Sequence, residues 1–144
     1  MLSAMNDRAR TIRQAPAPCA ANDTSRDPYV ERAIDAMTAE PARPWTVSKL
    51  ARVAGISRAP LSRRFRAATG TSPLRWLRAH RLSRAERRLV ETELPLCVIA
   101  DEVGYATEFA FSKAFKRRYG IAPGLFRRRV LGAPRTTALA RAAA

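Results

Sequence analysis

Two cysteines and one histidine are all the thiol and imidazole side chains that 144 residues offer: Cys19, Cys97 and His80. Two thiols far apart make neither a disulfide framework nor a four-thiolate zinc site. No run approaches the roughly 18 apolar residues that cross a bilayer, and the stretch up to Ala20 has arginines but no continuous apolar segment of a signal peptide. The cytoplasm is the expected address, with no membrane partner. Acid is scarce too: 12 Asp and Glu stand against 27 Lys and Arg, a formal charge of +15. Hydrophobic residues make up 47% of the chain, enough to bury a core.

The positive charge is unevenly placed. Residues 1–40 hold 5 basic and 6 acidic groups, whereas residues 41–144 hold 22 basic and 6 acidic. Arg58 to Arg88 contains ten arginines and one acid, Glu86, and Lys113 to Arg129 contains seven basic residues and no acid. Only Lys49, Lys113 and Lys116 are lysine, so the charge is carried mostly by planar guanidinium groups. Those suit forked hydrogen bonds to phosphate or to a guanine edge. Charge by itself implies only a polyanion as partner.

Periodicity and punctuation predict an all-α fold of about seven helices, since no segment alternates as a strand. Residues 1–27 read as a flexible leader and 131–144 as a disordered tail. Asp27 and Pro28 are a cap and first-turn pair opening a helix to about Ala39. Thr46 caps a second helix bearing Leu50, Ala51 and Ala54, which ends at Gly55. Ser57 opens a third, with Leu61 and Phe65 inward, up to Gly70. Pro60 in its first turn biases Ala59 away from helical geometry. A long helix from Pro73 to about Glu91 buries Leu74, Leu77, Leu82, Ala85 and Leu89 and connects two halves. Beyond Pro95 lie Val98, Ile99, Ala100 and Val103, then Gly104. Phe109, Phe111 and Phe115 follow, then a stop at Gly120 and a short helix from Pro123 to about Arg129.

The halves repeat. Ala51 and Gly55 recur as Ala100 and Gly104 at an offset of 49. After one extra residue in the second turn, Leu61, Ser62, Arg63, Phe65 and Arg66 recur as Phe111, Ser112, Lys113, Phe115 and Lys116 at an offset of 50, and Gly70 and Pro73 as Gly120 and Pro123. So many matches in register imply a duplicated helical unit. Each copy meets the demands of a helix-turn-helix: a small Ala where helices cross closely, a Gly for a positive φ, two large apolar anchors and a basic outer face. Such a helix fits a major groove about 12 Å wide.

The pattern Leu50-Ala51-x-x-Ala54-Gly55-x-Ser57-x-x-x-Leu61-Ser62-Arg63-x-Phe65, then Gly70-x-Ser72-Pro73, Arg81 and Ala85, Ile99-Ala100-x-x-Val103-Gly104-Tyr105, Phe111-Ser112-Lys113-x-Phe115-Lys116 and Gly120-x-x-Pro123 resembles the DNA-binding domain of AraC/XylS-type transcription regulators. The resemblance covers about residues 28–130. It implies subdomains at 28–71 and 92–130 joined by a helix at 72–91, with recognition helices entering successive major grooves. Base-reading positions carried over from the family are Arg58, Ala59, Ser62 and Arg63 in the first copy, and Thr107, Glu108, Phe109, Ser112 and Lys113 in the second. Thr107 reads equally as a helix cap, and Ser62 and Ser112 as solvated hydroxyls. Phe109 packs on a thymine methyl or lies in the core, and the core reading is favoured. Arg66, Lys116, Arg117 and Arg127 are phosphate contacts that set register, and Arg81 orients the long helix.

No enzyme is expected: His80 stands among arginines as a packing or surface histidine, and nothing pairs a nucleophile with a base. Ada-type repair proteins join a related domain to a zinc-bound cysteine cluster that this chain cannot assemble. No cofactor or metal is implied. The expected function is a sequence-specific double-stranded DNA-binding transcription regulator that works alongside RNA polymerase. If the chain is complete, it binds as a monomer. The competing reading is a nonspecific nucleic-acid or chromosome-coating protein.

Overall fold

The computed structural model describes residues 27–132, which form seven helices and no strand. The first begins where Asp27, in extended backbone, accepts the Tyr29 amide on Oδ1 at 3.0 Å and Pro28 fills the first helical position, so α1 runs Pro28–Ala39. Thr46 caps α2, Val47–Ala54, by accepting the Lys49 amide at 3.2 Å. Then follow α3 (Arg58–Thr69), α4 (Pro73–Glu91), α5 (Leu96–Glu102), α6 (Glu108–Tyr119) and α7 (Pro123–Leu131). Leu131 is therefore helical, not the start of a tail. The rest of the expected leader and tail lies outside the described residues.

Pro60 does not disturb the start of α3. Ala59 is helical, and the Leu61 amide reaches the Ser57 carbonyl at 3.1 Å. At the third helical position an N–H has no acceptor within the helix, so its replacement by the proline ring costs nothing there.

Packing divides the chain into two compact units, one ending at His80 and the other beginning at Arg81, a boundary that falls within α4. In the first, Val30, Ala33 and Met37 of α1 meet Leu50, Ala51 and Ala54 of α2, Leu61 and Phe65 of α3, and Leu77 of α4, all almost wholly removed from water. Trp45 closes this core and satisfies its indole by donating Nε1–H to the Glu40 carbonyl at 2.9 Å. Arg32 donates to the Ala54 carbonyl at 3.1 Å, satisfying one of the last acceptors of α2.

The second unit is built on Leu82, Ala85 and Leu89 of α4, Ile99 and Ala100 of α5 with Val103, and Phe111, Phe115 and Phe126. Phe115 is its centre: its ring lies 5.7 Å from Phe111, 5.4 Å from Phe126 and 4.4 Å from Tyr119, centroid to centroid. Tyr119 donates its hydroxyl to Glu86 at 3.0 Å, tying α6 to α4. Burial, with the Glu86 carboxylate reinforcing it against Arg118, pushes that phenol up to about 12. Arg88 grips Glu102 with two hydrogen bonds of 2.8 Å, joining α4 to α5.

One residue expected inside is not. Leu74 is 39% exposed, because Pro73 and Leu77, four apart, already fill the inward side of the first turn of α4. Val98 is 38% exposed while its neighbours Ile99 and Ala100 take the buried positions.

The Arg88 hydrogen bonds, as the foremost influence, hold the Glu102 carboxyl below the ordinary value of 4.5. A depressed carboxylate stabilises the fold above its unfolded value, and that stabilisation is lost as pH falls through the folded value. Glu102→Gln should therefore narrow the difference in denaturation midpoint between pH 7 and about pH 3. Phe115→Ala should cost about 3–5 kcal/mol in urea unfolding, since nothing around it can collapse into the space without breaking three ring contacts.

Candidate nucleic-acid interface

The two helix-turn-helix copies are built alike in detail. Gly55 and Gly104 hold φ of 83° and 89°, a left-handed turn that a side chain would strain. In the first copy the Ile56 amide donates to the Ala51 carbonyl at 3.1 Å; in the second the Tyr105 amide donates to the Ala100 carbonyl at 2.8 Å. The extra residue of the second turn is Ala106, between Tyr105 and the capping Thr107. Past it, α3 and α6 are both 12 residues long and begin 50 apart.

Helical geometry then sorts each of these helices into two faces. Leu61 and Phe65 in α3, and Phe111 and Phe115 in α6, are fully buried. About 200° away, two residues back along the helix, lies an outward line: Ala59, Arg63 and Arg66 in α3, and Phe109, Lys113 and Lys116 in α6. All six are exposed, with Ser62 and Ser112 half-buried beside them.

Charge on these lines is not neutralised from within. Arg58, Arg63, Arg66, Lys113, Lys116 and Arg117 make no ion pair with another described residue. Other arginines are occupied. Arg64 donates to Asp27 at 3.0 Å, fastening the flank of α3 to the cap of α1, and Arg88 holds Glu102. Cations left unpaired along an exposed helix face can accept an external polyanion without first breaking a contact.

Phe109, Thr107 and Arg127 each take a definite place. Phe109, favoured for the core, is 77% exposed, because the inward line of α6 is already taken by Phe111 and Phe115 on the opposite side. Thr107 is a cap: its Oγ1 accepts the Ala110 amide at 3.1 Å, leaving only its own hydroxyl hydrogen to give away. Arg127 is half-buried and donates Nε–H to the Leu89 carbonyl at 3.3 Å and Nη2–H to the Leu94 carbonyl at 2.7 Å. Leu89 lies in the last turn of α4, where carbonyls lack partners, so Arg127 fastens α7 to the α4–α5 connection. No sequence signal distinguishes it from Arg128 or Arg129.

At the helix starts the copies differ. Arg58 opens α3, whereas Glu108 opens α6, where a carboxylate complements the partial positive charge of the helix N-terminus. Among the described residues no group of three or more His, Cys, Asp or Glu could hold a metal, and no helix is long and apolar enough to cross a membrane.

Comparison with known proteins agrees with this architecture. Residues 50–129 match the family described as a helix-turn-helix domain. An AraC-like transcription regulator of Streptomyces antibioticus is 43% identical over 102 residues, 71% of this chain and 34% of the relative. The RCS-specific activator RclR of Escherichia coli K12 is 43% identical over 103 residues, 72% of this chain and 36% of the relative. Among solved structures, the DNA-binding domain of the global transcription factor AdpA, in complex with a target DNA, superposes with a TM-score of 0.66 at 30% identity, covering 71% of this chain and 91% of that one. The C-terminal domain of AraT, a response regulator from Geobacillus stearothermophilus, gives 0.70 at 33% identity, covering 75% and 88%. The chain belongs to the AraC-type helix-turn-helix family. It spans about a third of the length of the full-length relatives it matches.

Because Arg127 serves two carbonyls, Arg127→Ala should lower the unfolding free energy by roughly 1–3 kcal/mol, as expected when acceptors lose a charged donor. Chemical denaturation compared with Arg128→Ala, which removes the same charge one residue on, separates the two roles.

Proposed function

We propose that this chain is a sequence-specific double-stranded DNA-binding transcription regulator, with α3 and α6 reading two successive major grooves. The observation that carries the proposal is the repeated helix whose apolar anchors face inward while an unneutralised cationic line faces water. Residues 28–71 and 92–130 form its two reading subdomains, and 72–91 the helix between them. Membership of a DNA-binding family, with no catalytic constellation required, supports a binding function over an enzymatic one.

Arg58 and Arg63 are the guanine readers, since a guanidinium can meet O6 and N7 together. Ala59 and Ser62 complete the surface of α3. Glu108, Phe109, Ser112 and Lys113 are the corresponding surface of α6, with Thr107 contributing chiefly by capping it. Arg66, Lys116 and Arg117 bind phosphates and set register without reading sequence. Both reading helices lie on one polypeptide, so a single copy suffices for two grooves. Action in the cytoplasm, next to RNA polymerase, follows from the same reading.

Selection of bound fragments from random duplexes, followed by competition in a gel shift, tests the function. A regulator should prefer its selected site over random DNA by about 10³-fold or more, whereas a nonspecific coating protein should select nothing. Arg63→Ala should cost about 1–3 kcal/mol at the selected site and relax preference at one or two base pairs. Arg66→Ala should weaken selected and random DNA by the same factor and reduce the slope of log affinity against log salt by about 1. Equal losses on both DNAs for both variants would overturn the division between reading and anchoring residues.

A further inference from the structure

Of the three phenylalanines in α6, Phe111 and Phe115 are fully buried, while Phe109 is 77% exposed. It belongs to neither core and stacks on no other described ring. An aromatic side chain held in water at the second position of a helix contributes no packing to the fold. Its neighbours say what it faces: Lys113 and Lys116 continue its line along the outer side of α6 and make no ion pair with another described residue. Glu108, immediately before it, is acceptor-only and repels phosphate, which disfavours pressing this end of the helix onto the sugar-phosphate backbone.

We propose that Phe109 reads the C5-methyl group of a thymine in the major groove, so that binding through α6 depends on one methyl at one base position. The proposal rests on the reading of α6 as a DNA-contacting helix. A phenyl ring forms no strong hydrogen bond with a base edge, so its selectivity must come from apolar contact. Among the groups that base pairs display in the major groove, the thymine methyl is the apolar one. Closing the ring over it removes water from both surfaces. The equivalent residue of α3 is Ala59, whose single methyl reaches less far, so this dependence belongs to the α6 half of the site.

The experiment uses the full chain and the site recovered by selection from random duplexes. Each thymine of that site is replaced singly by deoxyuridine, which keeps the pairing and removes only the methyl, and binding is titrated by gel shift at fixed salt. Wild type should lose about fourfold at one position, the size expected for one buried methyl-sized group. Phe109→Ala should bind the thymine and deoxyuridine duplexes equally while keeping the wild-type circular dichroism spectrum and melting temperature, as an exposed side chain allows. If no deoxyuridine weakens wild-type binding, or if Phe109→Ala keeps the same thymine preference, the inference is wrong although the regulator reading stands. If wild type selects no site at all, that reading itself fails and takes this inference with it.

Discussion

Everything in this fold depends on burying one narrow apolar seam of a short, highly basic helix. α3 and α6 each centre their burial on two residues, Leu61 with Phe65 and Phe111 with Phe115, fully withdrawn from water. An isolated helix of 12 residues is marginal in water, and repulsion among its cations weakens it further. Tertiary burial therefore has to supply the stability that the sequence of the exposed face takes away. The tight glycine turns matter for the same reason, because Ala51 and Ala100 permit the approach that brings those four side chains into their cores. No polar or charged residue is buried among the described residues, so neither core gives up stability to an internal ion pair.

Much of this is legible in the sequence because it follows from one-dimensional rules. Asp27 before Pro28, Thr46 before an apolar run, and glycines at 55, 70, 104 and 120 each have one local physical meaning, and the helices begin and end where they indicate. The repeat is equally local, since a fixed offset needs no knowledge of packing. What escapes the sequence depends on three-dimensional competition for a place. Phe109 and Phe111 are chemically identical and two residues apart, and the packing of α4, α5 and α7 against α6 decides which of them is inside. Leu74 loses its place to Pro73 and Leu77 for the same kind of reason.

The candidate site shows the same boundary more sharply. Which arginines serve the fold and which remain available is a question of what lies within about 3 Å of each guanidinium, and nothing in a run such as Arg127-Arg128-Arg129 announces it. Arg127 finds two backbone carbonyls left over at the end of α4 and beside Pro95. Arg64 finds Asp27, which is already committed to capping α1 and is held below its usual range by Arg64 and the Tyr29 amide despite the opposing pull of burial. The number of arginines thus overstates how many guanidinium groups are left uncommitted. Some of the arginines are structural hydrogen-bond donors that happen to be cationic.

The duplication separates what the scaffold demands from what recognition demands. Inward positions changed little between copies: Ala51 and Ala100 are the same residue, as are Phe65 and Phe115, and Leu61 and Phe111 are both large and apolar. Among the outward positions, Ser62 with Ser112, Arg63 with Lys113 and Arg66 with Lys116 kept their character, whereas Arg58 became Glu108 and Ala59 became Phe109. A guanidinium offers donors where a carboxylate offers only acceptors, and a methyl offers a small contact where a phenyl offers a large one. The two helices thus present opposite hydrogen-bonding character at the same place. Under the proposed function, a duplex matched to both helices would not read the same in either direction. A symmetric pair of identical subunits on a palindrome has no such polarity to give.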